Sequence, residues 1–368
     1  MARAGLGEGW SCLLANDLDP KKARSYEVNW GSDALIVRDI ADLRSNHMPG
    51  VADLAWASFP CQDLSLAGNG AGLNGKRSGT FWAFAQKIGL LKSENRNPKV
   101  LVLENVLGTL SSNQGNDFRE IIRTLNTLGY RSGALVVDAI DFVPQSRPRL
   151  FVIAISDLAE PTVKNTASEP SPKWHPKSLV DAFASLDQDL QNSWVWWNPP
   201  MPGERHVLFS DLVEEEPTST RWHSQEETHA LIEMMSSVNL RKLRKAQELG
   251  RKIVGTIYKR TRIESGTKRQ RAEVRFDQSA GCLRTPAGGS SRQLLIVVNG
   301  AEVRSRLISA RETARLMGLP ETYSLPDKYN DAYHLTGDGV VVPVVRHLAE
   351  HLIEPSLEGS DMAAGVAA

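Results

Sequence analysis

Three short stretches carry side chains able to do chemistry. The stretch "SFPCQDLSLAG" at 58–68 sets Cys61 between a proline and a glutamine, directly after an apolar run. A thiolate there could act as a covalent nucleophile, although cysteine commonly packs as a small buried hydrophobe. In "LENV" at 103–106, Glu104 closes another apolar run, where a carboxyl group serves either acid–base work or simple solvation. In "PQSRPRLF" at 144–151, Arg147 and Arg149 stand two apart, so an extended chain turns both to the same side. Such a pair can grip anionic or carbonyl oxygen, or be no more than two surface arginines. Each stretch is weak alone; their order along one chain is the stronger signal.

The elements that must position them alternate in type. "SCLLAND", "ADLAWASFP", "KVLVLENV", "SGALVVDAI" and "RLFVIAI" read as buried strands. "DPKKARSYEVNW", "TFWAFAQKIGLLKSE" and "NDFREIIRTLNTLGY" have helical spacing, with Asp19 and Asn116 as expected caps. This alternation predicts an α/β fold with a parallel sheet covered on both faces. Ligands in such sheets bind at the carboxyl ends of the strands, where Asp17, Cys61 and Glu104 fall.

Composition narrows the class further. Of 368 residues, 41% are hydrophobic and 23% charged, as in an ordinary globular protein. Forty-three basic residues balance forty-three acidic ones, so affinity for nucleic acid requires local clustering. Cys12, Cys61 and Cys282 are far apart and make neither a disulfide framework nor a zinc-ligand spacing, so no metal is expected. No apolar stretch reaches the length of a membrane span and no signal-peptide core precedes the first strand, so a cytoplasmic location is expected. No GxGxxG follows a strand, which argues against a nicotinamide dehydrogenase.

Taken in order, the stretches resemble the cytosine-C5 DNA methyltransferases of bacterial and phage restriction-modification systems. Pro60, Cys61 and Gln62 match the family's Pro-Cys-Gln loop, and Glu104, Asn105 and Val106 its Glu-Asn-Val motif. Gln145, Arg147 and Arg149 match Gln-x-Arg-x-Arg, and Arg306 to Gly318 match a late Arg-x-Leu…Glu-x-x-Arg-Leu-Met-Gly helix. The resemblance implies a Rossmann-like, S-adenosylmethionine-dependent sheet with a smaller inserted target-recognition domain. It covers about residues 1–155 and 300–353. It implies that Cys61 adds to C6 of a flipped-out cytosine and that Glu104 carries or shares a proton with N3. Arg147 and Arg149 would hold O2 and nearby phosphates and favour the thiolate. Asp17, Leu18, Asp39, Ile40, Pro60, Phe81, Gly337 and Val340 would line the methyl-donor pocket. Asp17 stands where the family usually has Glu, and "GDGV" at 337–340 where it has Gly-Asn-Ser/Ala-Val. The glycine-rich loop after Cys61 reads as a lid closing over DNA, with Gln62 and Ser65 as DNA contacts.

The expected organisation is a catalytic and cofactor-binding domain at 1–156, a linker at 157–178 and a target-recognition domain at 179–298. The chain then returns to the catalytic domain at 299–355 and ends in a frayed tail at 356–368. Between Arg241 and Arg275, thirteen Lys/Arg stand against three Glu, with strand and turn residues interleaved in the second half. Such a cluster fits double-stranded DNA, with Arg260, Arg262, Arg284 and Arg292 as candidate base readers and a G·C-containing site favoured. A monomer, nucleoid-associated, with a cognate restriction endonuclease as possible partner, completes this reading. The rivals are a tRNA cytosine-C5 methyltransferase on the same scaffold and a catalytically impaired DNA-binding relative. The family's opening Phe-x-Gly-x-Gly-Gly strand is not found before "ARAGLGEGW", so weakened donor binding is expected.

Overall fold

Strand and helix alternate through the first part of the chain, as its apolar periodicity requires. The computed structural model describes residues 1–59, 80–157, 159, 165–264, 266–285 and 292–358. Two units emerge: the first holds residues 2–138, 148–202 and 344–368, the second Met1 with residues 139–147 and 203–343.

The first unit opens with α1 (Ala2–Leu6), β1 (Ala15–Asp17), α2 (Pro20–Trp30), β2 (Leu35–Val37) and β3 (Leu54–Ala57). It continues with α3 (Thr80–Ser93), β4 (Val100–Asn105), α4 (Asn116–Thr127), β5 (Tyr130–Asp138) and β6 (Pro148–Ser156). After these come β7 (Thr166–Ala167), α5 (Lys177–Ala184), α6 (Gln188–Asn192) and β8 (Trp196–Trp197). Asp19 caps α2 as expected, accepting from Lys21 N with Pro20 opening the helix. Asn116 does not cap α4. It is the first helical residue, and Gly115, at φ 84, occupies the cap position with no side chain to offer.

The main sheet runs in the order β3-β4-β6-β5. β3 and β4 are parallel, but β6 runs antiparallel to both β4 and β5. The expectation of an all-parallel sheet is therefore corrected to a mixed one. Residues 139–147 between β5 and β6 are too few for the crossover of a dozen or more residues that a parallel return needs. β1 and β2 pair in parallel as a separate two-stranded sheet, Asp17 beside Val37.

One face of the main sheet presents Leu101, Leu103, Ala134, Val136, Leu150 and Val152 to Phe84 and Ile88 of α3 and to Phe118 and Ile122 of α4. On the other face Trp197 Nε1 donates to Ile153 O at 3.1 Å. Gly133 is required at that contact, because a Cβ there would lie 1.8 Å from Val195 O. Trp174, within the stretch expected as a linker, is buried, as is Ser356 in the expected tail, donating to Leu352 O at 2.6 Å.

The second unit contains α7 (Gln225–Glu233), α8 (Ser237–Glu248), β9 (Lys252–Glu264), β10 (Thr267–Arg275), β11 (Leu294–Asn299), β12 (Glu302–Leu307), α9 (Ala310–Leu316) and α10 (Tyr329–Asp338). α11 (Val342–Leu348) leads back to the first unit. The strands form an antiparallel sheet, β10-β9-β11-β12, whose apolar face packs on Leu231 and Met235 near α7 and on Leu243 and Ala246 of α8. Among the described residues no helix is long and apolar enough to cross a membrane.

The late helix motif has a structural centre. Arg306 and Glu312, both fully buried, meet in a two-pronged pair at 2.6 and 2.7 Å. Glu312 also accepts from Ser309 N at 2.7 Å and Glu214 N at 2.8 Å, closing a capping box with Ser309 at the start of α9. Arg306 stacks on Trp222 at 4.9 Å. Removing one partner strands a charge in apolar surroundings, so Glu312→Ala should destabilise the protein by ~3–5 kcal/mol. Urea unfolding measures this, and the double change Arg306→Met/Glu312→Leu should recover much of the loss.

Candidate active site

Glu104 is the fifth residue of β4 and is 6% exposed, directly opposite Phe151 of β6. Because β6 is reversed, Arg149 lies two residues along on the same face of the sheet, a diagonal cross-strand neighbour. Arg149 Nε sits 3.1 Å from Glu104 Oε1, and its Nη1 donates to Pro148 O at 3.0 Å. The carboxylate and guanidinium thus form a largely buried ion pair where β4 ends.

The next residue, Asn105, ties this strand end to the segment that leads into Cys61. Its amide nitrogen donates to Phe59 O at 3.3 Å, while its oxygen accepts from Val106 N at 2.8 Å. Phe59 is itself buried against the Phe81 ring, centroids 5.6 Å apart. Pro60, Cys61, Gln62 and Ser65 lie outside the described residues. The chain is anchored up to the residue before Pro60.

The acids proposed for the donor pocket lie together at the carboxyl ends of β1 and β2. Asp17 O accepts from Arg38 N at 3.2 Å, and the Asn16 side chain donates to Ile36 O and Arg38 O, lacing the two ends. Each acid turns one oxygen back on its own turn: Asp17 accepts from Asp19 N at 2.8 Å and Asp39 from Ala41 N at 2.9 Å. Leu18 is 64% exposed beside Asp17, whereas Ile40 packs on the core cluster and Phe81, fully buried, belongs to it.

Arg147 belongs to the second unit and does something different from Arg149. It is 2% exposed, and its Nη atoms donate to Leu283 O at 2.7 Å and to Gly337 O and Gly339 O, each at 2.8 Å. Its Nη1 also lies 3.3 Å from Cys282 Sγ. A cation thereby closes the carboxyl end of α10. Gly337 packs so tightly on the Arg284–Thr285 backbone that a Cβ would meet Thr285 N at 3.1 Å. Gln145, wholly buried, donates to Leu316 O at 2.8 Å and accepts from Leu283 N at 3.0 Å. Val340 is buried in the same unit. The motif thus divides: Gln145 and Arg147 bind the second unit, and Arg149 meets Glu104 in the first.

The candidate base readers also differ in how they are held. Arg262 donates to Glu273 at 2.9 Å, with Arg260 3.7 Å from the same carboxylate. Arg292 donates to Asn330 at 2.6 Å and lies over the rings of Tyr329 and Tyr333. Burial pushes the Tyr333 hydroxyl up to about 12 and raises Tyr329 also, so both stay neutral beside it. Arg284 is exposed. Sequence reasoning named Asn105 and Gln145 only as motif letters; an amide within a motif, beside a strand end, was the available signal for an anchoring role.

A mixed α/β sheet thus carries a carboxylate–arginine pair at a strand end, next to the amide that holds Phe59. The family model for C-5 cytosine-specific DNA methylases matches residues 2–354, and the chain belongs to that family of cytosine-5 DNA methyltransferases. It is similar to the type II methyltransferase M.HhaI of Haemophilus parahaemolyticus, 26% identical over 345 residues, covering 94% of this chain and 88% of that one. It is also similar to the type II methyltransferase M.DsaV of Dactylococcopsis salina, 25% identical over 346 residues, covering 94% and 80%. In fold it resembles the Entamoeba histolytica methyltransferase EhMeth, with a TM-score of 0.55, 15% identity and coverage of 92% and 88%. It likewise resembles the S. pombe Dnmt2 methyltransferase, with a TM-score of 0.51, 19% identity and coverage of 94% and 91%.

Lysine substitutions should separate the two arginines. Lysine has three donors on a point charge and cannot reproduce the Arg147 grip on three carbonyls and a sulfur. Arg147→Lys should therefore lower stability by about 2 kcal/mol. Arg149→Lys should leave the unfolding midpoint nearly unchanged while lowering methyl transfer. Urea unfolding and single-turnover rates on the same samples check both.

Proposed function

We propose that this chain transfers a methyl group from S-adenosylmethionine to C5 of a flipped-out cytosine in duplex DNA, through a covalent adduct of Cys61 at C6. The observation that carries the reading is the Glu104–Arg149 pair at the end of β4, one residue from the amide that anchors Phe59. Cytosine C5 is a poor nucleophile. Addition of the Cys61 thiolate at C6 makes the ring an enamine and C5 reactive. Negative charge then gathers on N3 and O2. Glu104, carrying or sharing the N3 proton, and Arg149, donating to O2, are suited by type and by mutual placement to stabilise it. Arg147 acts through the carbonyls it binds, as a positioning residue. After C5 is methylated its proton leaves to a base, water by this reading, and the Cys61–C6 bond breaks to restore the aromatic ring.

S-adenosylmethionine, when bound, supplies an electrophilic methyl group. Asp17 and Asp39 fit such a donor because each keeps one carboxylate oxygen beyond its local turn contact, enough to accept from a ribose hydroxyl or an adenine amine. Leu18 offers an exposed apolar surface to the adenine, and Ile40, Phe81 and, by the resemblance, Pro60 are proposed to complete the lining within the first unit, while Gly337 and Val340 belong to the second. The basic β9–β10 region, with Arg260, Arg262, Arg284 and Arg292, and the Gln62 and Ser65 loop are proposed to hold the DNA. The domain limits follow the same reading: catalytic residues 1–156 and 299–355 around a target-recognition insert at 179–298. A monomer acting on nucleoid DNA in the cytoplasm, beside a cognate endonuclease, is the cellular setting we infer.

Cys61→Ser should retain DNA binding and lose methyl transfer, since a hydroxyl is a far weaker nucleophile at neutral pH. The unaltered protein should form a denaturation-resistant adduct on duplex carrying 5-fluorocytosine, where no C5 proton can leave. Turnover by the serine variant, or transfer of label from tritiated S-adenosylmethionine to tRNA in preference to duplex DNA, overturns the reading. Replacing Arg260 and Arg262 together by Ala should weaken binding and flatten its salt dependence by about two units of log–log slope, if each meets one phosphate.

A further inference from the structure

Beyond Ile257 the second unit's sheet narrows to two strands. β11 pairs with β9 only over residues 252–257, so residues 258–264 of β9 are carried by β10 alone. The free ribbon reaches about 20 Å past the sheet at ~3.3 Å per residue. It turns through Gly266, at φ 77, which tolerates the left-handed backbone. From Lys259 to Arg271, six Lys/Arg stand against one Glu.

The two faces of this ribbon are unlike. Glu264 and Glu273 lie on the face with Arg260, Arg262, Arg269 and Arg271, where Glu264 pairs with Arg271 and Glu273 with Arg262. These pairs stiffen an otherwise marginal two-stranded element. The opposite face carries the facing pairs Thr261–Gln270 and Ile263–Lys268, with Lys259 below them. It has no carboxylate among the described residues. Ile263 is 73% exposed, the highest value among the exposed large hydrophobic side chains of the described residues, next to Thr261, Lys268 and Gln270.

We propose that this face enters the major groove of the duplex and that Ile263 is a specificity-determining residue, making apolar contact with the C5-methyl group of a thymine. The proposal rests on the DNA reading above and adds an A·T pair to the recognised site. Two strands about 4.8 Å apart with their side chains suit a groove about 12 Å wide and not one about 6 Å wide. Lys259 and Lys268 complement the flanking phosphates. Gln270, diagonal to Ile263 across the ribbon, has the paired donor and acceptor that match adenine N7 and N6. A methyl group in the groove is the one apolar feature a base pair shows there, and Ile263 is the one apolar side chain this part of the ribbon presents.

The test begins with a duplex selected from a random pool by repeated binding to the full chain at fixed salt. It is then resynthesised with uracil in place of thymine, one position at a time. Wild type should lose about fourfold in affinity at one position, the value of one methyl group removed from water. Ile263→Ala should be indifferent there, and Ile263→Val should behave as wild type; circular dichroism confirms that each variant is folded. A selected duplex on which wild type and Ile263→Ala respond alike at every thymine overturns the role of Ile263 while leaving DNA recognition intact. Sensitivity found only to 5-methylcytosine overturns the assignment to thymine. If no duplex is selected and no methyl reaches DNA, the underlying reading fails together with this one.

Discussion

The connection at 139–147 is too short to carry the chain from the end of β5 back to a parallel start, and β6 therefore runs against its neighbours. That reversal brings the amino end of β6 to the carboxyl end of β4. Arg149 is then a diagonal neighbour of Glu104 across the strands, and a carboxylate that would be costly to bury alone acquires a cation at 3.1 Å. The same short connection leaves the first unit altogether. Gln145 and Arg147 are taken up by backbone groups of the second, while Arg149 stays in the sheet.

A functional reading of the site follows from how fully each polar group is already committed. Arg147 closes three carbonyls and contacts a sulfur, an arrangement that a guanidinium can hold rigidly and a mobile ligand contact would disturb. Arg149 has a carboxylate partner whose own chemistry is useful. Asn105 divides its amide between the backbone ahead of it and the carbonyl of Phe59, so Phe59 is held by the strand that bears Glu104. Glu104, its Arg149 partner and the backbone of Phe59 are thus linked through one strand end, which fixes their mutual geometry.

The second unit is organised by charge in two ways. At its centre Arg306 and Glu312 are wholly buried, Arg306 Nη1 and Nη2 donating also to Leu307 O and Glu214 O while Glu312 accepts from Ser309 N at the start of α9. At its far end the arginines of β9 and β10 are partly neutralised on one face by Glu264 and Glu273. The neutrality of the whole chain hides this local excess. A balanced total and a strongly basic ribbon coexist because the acidic residues are distributed elsewhere.

Much was already determined by the sequence on its own. The order of the Pro-Cys-Gln, Glu-Asn-Val and Gln-x-Arg-x-Arg stretches named the chemistry. The apolar periods located the strands, and Asp19 before Pro20 announced the start of α2, because caps and periods are local properties that neighbouring residues impose. The direction of β6, the division of labour between Arg147 and Arg149, the anchoring role of Asn105 and the openness of the face bearing Ile263 were decided only by tertiary structure. Each depends on which groups meet across tens to hundreds of residues. The alternation that turns two arginines to one side of an extended chain says nothing about what each will find there. Asn116 shows the limit even for local signals: its side chain suited a cap, but the tight turn at Gly115 moved the helix start one residue earlier.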